Sequence, residues 1–140
     1  GVSNFTAPLI EEAREILDAP IVANQVEVHP LPGPREPLFG TCREHDIDIV
    51  AYAPFCRGDA LEDSTVQAVA ERHDTSPAQV CLAWLASHGV AAIPKATGRA
   101  HIEENARASA LTLTDAEIEQ LDTIDRRYRR FDPEGSPWDA

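Results

Sequence analysis

Hydrophobic residues recur along the chain at two spacings that alternate, which predicts strands followed by helices. Residues 2–5 are predicted to be the end of a strand. A helix is predicted next, because its apolar residues recur at helical spacing: Leu9, Ile10, Ala13, Ile16 and Leu17. We expect Thr6 to cap this helix, which runs to about Asp18. A second strand, Ile21–Val28, is rich in β-branched residues, and a helix over Arg35–His45 follows a Pro-Gly-Pro turn.

The alternation continues to residue 124. A third strand, Ile47–Ala53, is almost continuously apolar, as expected for a strand covered on both faces. Ser76 and Thr114 are predicted helix caps, and Glu117 lies at capping-box distance from Thr114. The remaining predicted elements are helices over Ser64–His73 and Pro77–Ser87, a strand over Val90–Ile93, and helices over Arg99–Ala108 and Asp115–Ile124.

Four strands that are each followed by helix predict parallel βα units joined by right-handed crossovers. Such units form either an open doubly wound sheet or an arc of a (β/α)₈ barrel. A complete barrel takes about 250 residues. The 140 residues of this chain therefore fit half of one, although periodicity alone favours neither architecture.

Composition excludes several classes of function. The chain is 43% apolar, enough for one core, and carries 24 acidic against 12 basic residues, a formal charge of −12. That charge repels nucleic acids and anionic membranes. No apolar run approaches the roughly 20 residues of a membrane span. The three cysteines lack the spacing of a metal site, and we interpret them as reduced thiols of a cytoplasmic protein without a metal centre.

Two further features concern the origin of the chain. It begins with Gly1 instead of Met, inside a predicted strand, so we expect a fragment or a truncated sequence. Its basic residues are eleven arginines and a single lysine, Lys95. Many carboxylates with almost no lysine suit a salt-rich cytoplasm, because molar salt screens the self-repulsion. We therefore hypothesise a halophilic source, the alternative being an acidic protein of a mesophile.

Four segments together resemble the aldo-keto reductases: GVSNF at 1–5, NQVEVHP at 24–30, AYAPF at 51–55 and IPKATGRAHIEEN at 93–105. The PEGSPWD ending points to the 2,5-diketogluconate reductase-like branch. The resemblance implies the C-terminal half of a (β/α)₈ TIM barrel, about four parallel βα units plus a final helix. Residues 1–125 would form this cofactor-binding half, and 126–140 a substrate-loop tail. Trp138 is the candidate for one wall of the pocket, the alternative being a terminal aromatic residue that is disordered or packed on the surface.

The resemblance also implies a cofactor, NADPH, bound in an extended pose without a Rossmann motif. Ser3, Asn4 and Gln25 match the positions that bind the nicotinamide carboxamide, and Tyr52 matches the aromatic residue that stacks on the ring. Lys95 and Thr97 begin the segment that holds the adenosine 2′-phosphate at a helix start. Glu104 and Asn105 match the positions that reach the adenine amino group.

Two positions depart from the family pattern near the expected phosphate. Ala96 stands where a serine is usual, and His101 replaces an arginine. A neutral imidazole offers one donor where a guanidinium offers a bidentate pair. Arg99, near the helix start, is the residue that we expect to compensate. The sequence therefore predicts that NADPH is preferred over NADH by a reduced margin, with NADH as a possible second cofactor.

The family's catalytic Asp, Tyr, Lys and His come from strands that would precede Gly1, so the resemblance places no catalytic residue in this chain. We interpret His29 as structural because a proton donor must reach the substrate carbonyl. The intact protein, expected to be a monomer, would reduce small aldehydes or ketones by hydride transfer. The alternatives are a non-catalytic nicotinamide-binding regulatory subunit and a half-barrel interaction module, whose open sheet edges favour self-association.

Overall fold

Four parallel strands form a single sheet in the computed structural model, which describes residues 1–31 and 36–125. The strands are β1 (Val2–Ser3), β2 (Ala23–Glu27), β3 (Asp48–Tyr52) and β4 (Ala91–Ala92), and they lie side by side in chain order. Ser3 is in register with Gln25, Gln25 with Val50, and Val50 with Ala91. The carboxyl ends of β1, β2 and β3 therefore meet at one edge of the sheet.

Helices follow each strand. They are α1 (Ala7–Ile16), α2 (Leu38–Glu44), α3 (Ser64–Arg72), α4 (Pro77–Ser87), α5 (Arg99–Arg107) and α6 (Asp115–Asp122), with 3₁₀ segments at Cys56–Glu62 and Ala108–Ala110. The strand order runs 1-2-3-4 without the reversal that divides an open doubly wound sheet. This order is that of a barrel arc, the architecture predicted from length. Within the described ranges no helix is both long and apolar enough to span a bilayer.

The strands are shorter than their apolar runs. The predicted strand Ile21–Val28 is a strand only over 23–27, and Val90–Ile93 only over 91–92, because only those residues are in register with β3. The helix predicted from Arg35 begins at Leu38, because the residue before Pro37 is disfavoured in helical conformation. Arg35 and the predicted tail 126–140, with Trp138, lie outside the described residues.

Two predicted helix caps are confirmed and one is wrong. Ser76 with Gln79 and Thr114 with Glu117 each form a reciprocal capping box. Thr6 does occupy the N-cap position of α1, but its side chain makes no capping hydrogen bond. Pro8, the second residue of α1, has no N–H, which removes one of the two donors that an N-cap side chain normally accepts.

The helix α4 lies at the centre of the packing. It contacts α3, α5, α6, β4 and both 3₁₀ segments, and residues 78 and 80–85 are all buried. The Trp84 indole N–H donates a 2.8 Å hydrogen bond to Asp122 on α6, which holds α6 against α4. The helices α2 and α4 pack against β3 and β4 of the sheet, respectively, and α3 and α6 pack on α4.

Candidate functional site

The carboxyl edge of the sheet brings together Ser3, Asn4, Gln25 and Tyr52. The Ser3 hydroxyl donates to the backbone carbonyl oxygen of Gln25 at 3.0 Å, and the Asn4 backbone N–H donates to the same oxygen at 2.9 Å. The Tyr52 hydroxyl donates to Asn4 Oδ1 at 2.8 Å. Four residues predicted from three separate segments are therefore joined by hydrogen bonds across β1, β2 and β3.

Asn4 is held in a left-handed backbone conformation, with φ of 57°. Asparagine adopts this region more readily than most residues because its short polar side chain bonds locally. Asn4 Oδ1 accepts a hydrogen bond from the Tyr52 hydroxyl, so the Asn4 amide N–H groups are not used in this bond. The turn after β1 therefore holds an amide next to the Tyr52 hydroxyl.

Alternation along β2 assigns its side chains to opposite faces. Asn24 is buried on the helix side, where its Nδ2 donates to the Phe5 carbonyl at 3.0 Å. Gln25 points to the other face and is exposed, as is its register neighbour Ser3. This second face would line the interior of a closed barrel. An amide and a hydroxyl there can bind a polar ligand directly.

Two adjoining open clefts lead from the end of β3 to α5. The first encloses about 370 Å³ and the second about 320 Å³. Phe55, Leu61 and Lys95 line both, so the clefts share a wall. Ala53, Pro54, Arg57, Gly58 and Ile93 complete the first, and Ser76, Pro77, Ala78, His101, Glu104 and Asn105 complete the second. A ligand with an apolar body and charged groups matches this lining.

The α5 end of the second cleft carries an imidazole beside a carboxylate. His101 Nδ1 lies 3.2 Å from Glu104 Oε2. Hydrogen bonds from Ser76 and then from His101 lower the pKa of Glu104 below its ordinary value. The Ser76 hydroxyl also accepts from Gln79 N at 3.3 Å as the cap of α4. The Ser76 hydroxyl therefore connects the start of α4 to Glu104 in the second cleft.

Thr97 and Arg99 lie outside both clefts. Each is exposed, and the Arg99 Nε–H donates to Glu103 at 2.6 Å along α5, with 92% of the arginine side chain accessible. Arg99 is therefore engaged on the outer surface of the helix. The expectation that Arg99 compensates for the missing arginine of the family pattern stays a prediction. The other residues predicted for this end of the cofactor share one cleft: Lys95, His101, Glu104 and Asn105.

The clefts are also lined by residues whose binding role the sequence does not predict, Phe55, Leu61 and Ser76 among them. Ser76 was visible only as a helix cap. The segment that carries Phe55 and Leu61 forms 3₁₀ turns around a break at Arg57 and Gly58, where φ is 55° and 112°. No hydrophobic periodicity marks such a segment, so sequence patterns gave no signal for it.

A parallel βα arc with polar side chains at the carboxyl ends of its strands is the arrangement of barrel enzymes, whose active sites lie at that face. The family model described as "Aldo/keto reductase family" matches residues 1–126. The chain belongs to the aldo/keto reductase family, a family of oxidoreductases. The resemblance noted from the four sequence segments is confirmed.

Individual relatives agree with this assignment. Methylglyoxal reductase DkgB of Escherichia coli O157:H7 is 35% identical over 142 aligned residues, which cover 99% of this chain and 53% of the relative. A crystal structure assigned as 2,5-diketo-D-gluconic acid reductase B is 31% identical with a TM-score of 0.92, covering 100% of this chain and 51% of that one. This match confirms the predicted partial (β/α)₈ barrel.

A Bombyx mori aldo-keto reductase crystallised in complex with NADP is 31% identical, with a TM-score of 0.84. The match covers 95% of this chain and 46% of the Bombyx mori protein. The chain thus spans about half the length of the relatives that it matches.

Proposed function

We propose that this chain forms the cofactor-binding half of an NAD(P)H-dependent reductase of small aldehydes or ketones. The observation that carries the proposal is the hydrogen-bonded set of Ser3, Asn4, Gln25 and Tyr52 at the same sheet edge from which clefts lead to Lys95 and His101. The relatives crystallised with NADP or NADPH support it. No described residue supplies the proton donor, which we assign to the part of the protein outside this chain.

The residues present fit a nicotinamide dinucleotide at both ends. The Ser3 hydroxyl and the Asn4 and Gln25 amides are donors and acceptors that match a carboxamide. The half-buried Tyr52 ring, fixed by its bond to Asn4, offers a flat apolar face. When bound, NADPH would supply the hydride that reduces a carbonyl carbon. Ser3, Asn4, Gln25 and Tyr52 would then fix which face of the ring meets the substrate.

The other end of the cleft supplies charge for a phosphate and polar groups for a base. Lys95 and His101 are the cationic or potentially cationic side chains there, and Glu104 and Asn105 can bind an exocyclic amine. Lys95 and His101 in place of a bidentate arginine predict a preference for NADPH over NADH below about a thousandfold, or about 4 kcal/mol. A larger preference would contradict the proposed phosphate subsite.

His29 does not take the role of proton donor in this proposal. Its side chain is fully buried and lies 3.3 Å from Glu27, which is also buried. A general acid must come within hydrogen-bond reach of the substrate oxygen. A group enclosed in this way is unsuited to that task, which supports an external source for the catalytic acid.

Titration of the chain with NADPH and NADH, followed by nicotinamide fluorescence at low and molar salt, tests the proposal. We expect saturable binding of both, tighter for NADPH. Gln25→Ala should weaken both to a similar degree, because it removes an amide at the shared nicotinamide end. Gln120→Ala, which removes an α6 amide whose oxygen accepts a hydrogen bond from Arg72 of α3, is the matched control.

Absence of binding by a folded chain would contradict the proposal that these residues alone form the cleft. Activity is measured on the intact protein with a small carbonyl substrate. Binding without turnover there would favour the non-catalytic regulatory alternative over a reductase.

A further inference from the structure

Three buried side chains of different types converge beside the proposed nicotinamide site. Glu27 ends β2, His29 follows two residues later, and Cys56 opens the 3₁₀ segment after β3. One potential ligand atom from each lies within 4.8 Å of the other two. Exposure is 1% for Glu27 and 0% for His29 and Cys56. In the described part of the chain this is the one such group of His, Cys and acidic residues.

The His29 ring carries an unsatisfied polar atom. Nε2 lies 3.3 Å from Glu27 Oε1, and Nδ1 is buried with no hydrogen-bond partner. With the proton on Nε2, the lone pair of Nδ1 has no partner. With the proton on Nδ1, that N–H has none and the lone pair of Nε2 faces a carboxylate oxygen. In this second tautomer the Nε2 lone pair and the carboxylate oxygen repel each other, and a cation bound by both atoms would remove that repulsion.

The spacing fits ligands of a tetrahedral cation. Two ligands at zinc's ordinary nitrogen and oxygen distances lie about 3.4 Å apart. The 3.3 Å between His29 and Glu27 matches that separation, whereas charge-assisted N–H···O bonds are usually about 2.7–2.9 Å. A cysteine sulfur bound to the same ion lies about 3.5 Å from the other ligands, so Cys56 needs only a small movement from within 4.8 Å.

Charge also balances. One carboxylate, one thiolate and one neutral imidazole around a divalent ion give a net charge of zero, which a buried site tolerates. The thiol must lose its proton on binding, so the ion forms a sulfur–metal bond and one proton is released to solvent. Glu27 and Cys56 also have other interactions in the folded chain, with which the cation competes.

We propose that Glu27, His29 and Cys56 bind a divalent cation of the zinc type, with a water molecule in the fourth position. Carboxylate, imidazole and thiolate together select zinc or cobalt(II) over magnesium or calcium, which prefer oxygen ligands. Glu27 is in register with Tyr52, so the ion would lie next to the residue proposed to stack on nicotinamide. The site does not depend on the proposed reductase activity.

The test adds cobalt(II) to the purified 140-residue chain. We expect one ion per chain, a near-ultraviolet absorption from cobalt–thiolate charge transfer, release of about one proton per ion, and displacement by zinc. Cys56→Ser should abolish the band, and His29→Gln should weaken binding at least tenfold. Cys42→Ser is the matched control, because Cys42 is equally buried but outside the cluster. Circular dichroism verifies that each variant is folded.

A second readout on the wild-type chain covers the case in which a variant does not fold. Alkylation of the thiols, mapped by mass spectrometry, should slow at Cys56 when zinc is added and stay unchanged at Cys42 and Cys81. The proposal is overturned if millimolar cobalt(II) produces no charge-transfer band, if the band survives Cys56→Ser in a folded chain, or if zinc protects all three cysteines alike.

Discussion

At the scale of single residues, the proposed phosphate subsite depends on one lysine. Lys95 is the only lysine of the chain, and it lies where the two clefts join. In a protein with a net charge of −12, a cation at the junction of two clefts is a strong local attraction for an anionic ligand. The 2′-phosphate distinguishes NADPH from NADH, so Lys95 should act on one cofactor and not on the other.

We therefore expect Lys95→Ala to lower the affinity for NADPH by about tenfold to a hundredfold, the value of a charge-assisted contact. The affinity for NADH should change less than threefold. Arg107→Ala, which removes the same charge from the exposed outer side of α5, should affect neither strongly. Fluorescence titrations of the three chains measure this, and equal losses for both cofactors in Lys95→Ala would contradict the assigned phosphate subsite.

The family resemblance predicted the residues of the proposed nicotinamide end but not how they are connected. The bond from Tyr52 to Asn4 spans two strands and depends on the left-handed conformation of Asn4. Likewise, Glu27, His29 and Cys56 show no metal spacing because Cys56 belongs to a different strand–helix unit from the other two. Only the sheet register brings such groups together.

At the scale of helices and strands, sequence patterns predicted the features that depend on residues close to one another in the chain. The capping boxes at Ser76 and Thr114 were readable because the cap and its partner lie three residues apart. Strand ends and the 3₁₀ segment Cys56–Glu62 were not readable, since they depend on neighbouring strands and on packing against α3 and α4. The positive φ angles at Cys56 and Arg57 were not readable from the sequence either.

The capping box of α6 should make stability depend on acid. The hydrogen bond with the Thr114 backbone, and bonds from His73, the Thr114 side chain and Arg72, lower the pKa of Glu117 from 4.5 to about 2. A carboxyl whose pKa is lower in the folded state stabilises the fold above its unfolded pKa, and this stabilisation is lost as pH falls through the folded pKa. The loss should occur between about pH 4.5 and about pH 2.

Glu117→Gln should therefore lower the free energy of unfolding at pH 7 by about 1–2 kcal/mol, since the ionised partner of His73 and Arg72 is lost. It should also flatten the pH dependence below pH 4.5. Glu119→Gln, at an exposed position of the same helix, should do neither. Urea unfolding at a series of pH values measures both effects, and an unchanged acid profile in Glu117→Gln would disprove this assignment.

At the scale of the whole molecule, the sheet of the described residues has two edges, β1 and β4, and its inner face exposes Ser3 and Gln25. Ile93, just beyond β4, is 49% exposed. Unpaired edges and exposed apolar side chains favour association. We expect the 140-residue chain by itself to form dimers or larger species in sedimentation velocity at micromolar concentration. A monodisperse monomer would contradict this expectation.

The charge of the molecule predicts a response to salt. With 24 acidic and 12 basic residues, the folded chain repels itself, and the Debye length falls from about 10 Å at 0.1 M salt to about 3 Å at 1 M. We expect the thermal unfolding midpoint to rise by several degrees over that range in potassium chloride, as the hypothesis of a halophilic source also predicts. A midpoint that rises on removal of salt would contradict both.

The proposed cofactor cleft is best tested by mapping where NADPH contacts the chain. At 15.3 kDa per chain, both a monomer and the expected dimer are suited to backbone amide NMR. We predict that NADPH shifts the resonances of Ser3, Asn4, Gln25 and Tyr52 and those of Lys95 to Asn105, with NADH shifting the first group more than the second. Shifts confined to α6 or scattered over the surface, or none at saturating cofactor, would contradict a cofactor cleft that runs from the sheet edge to α5.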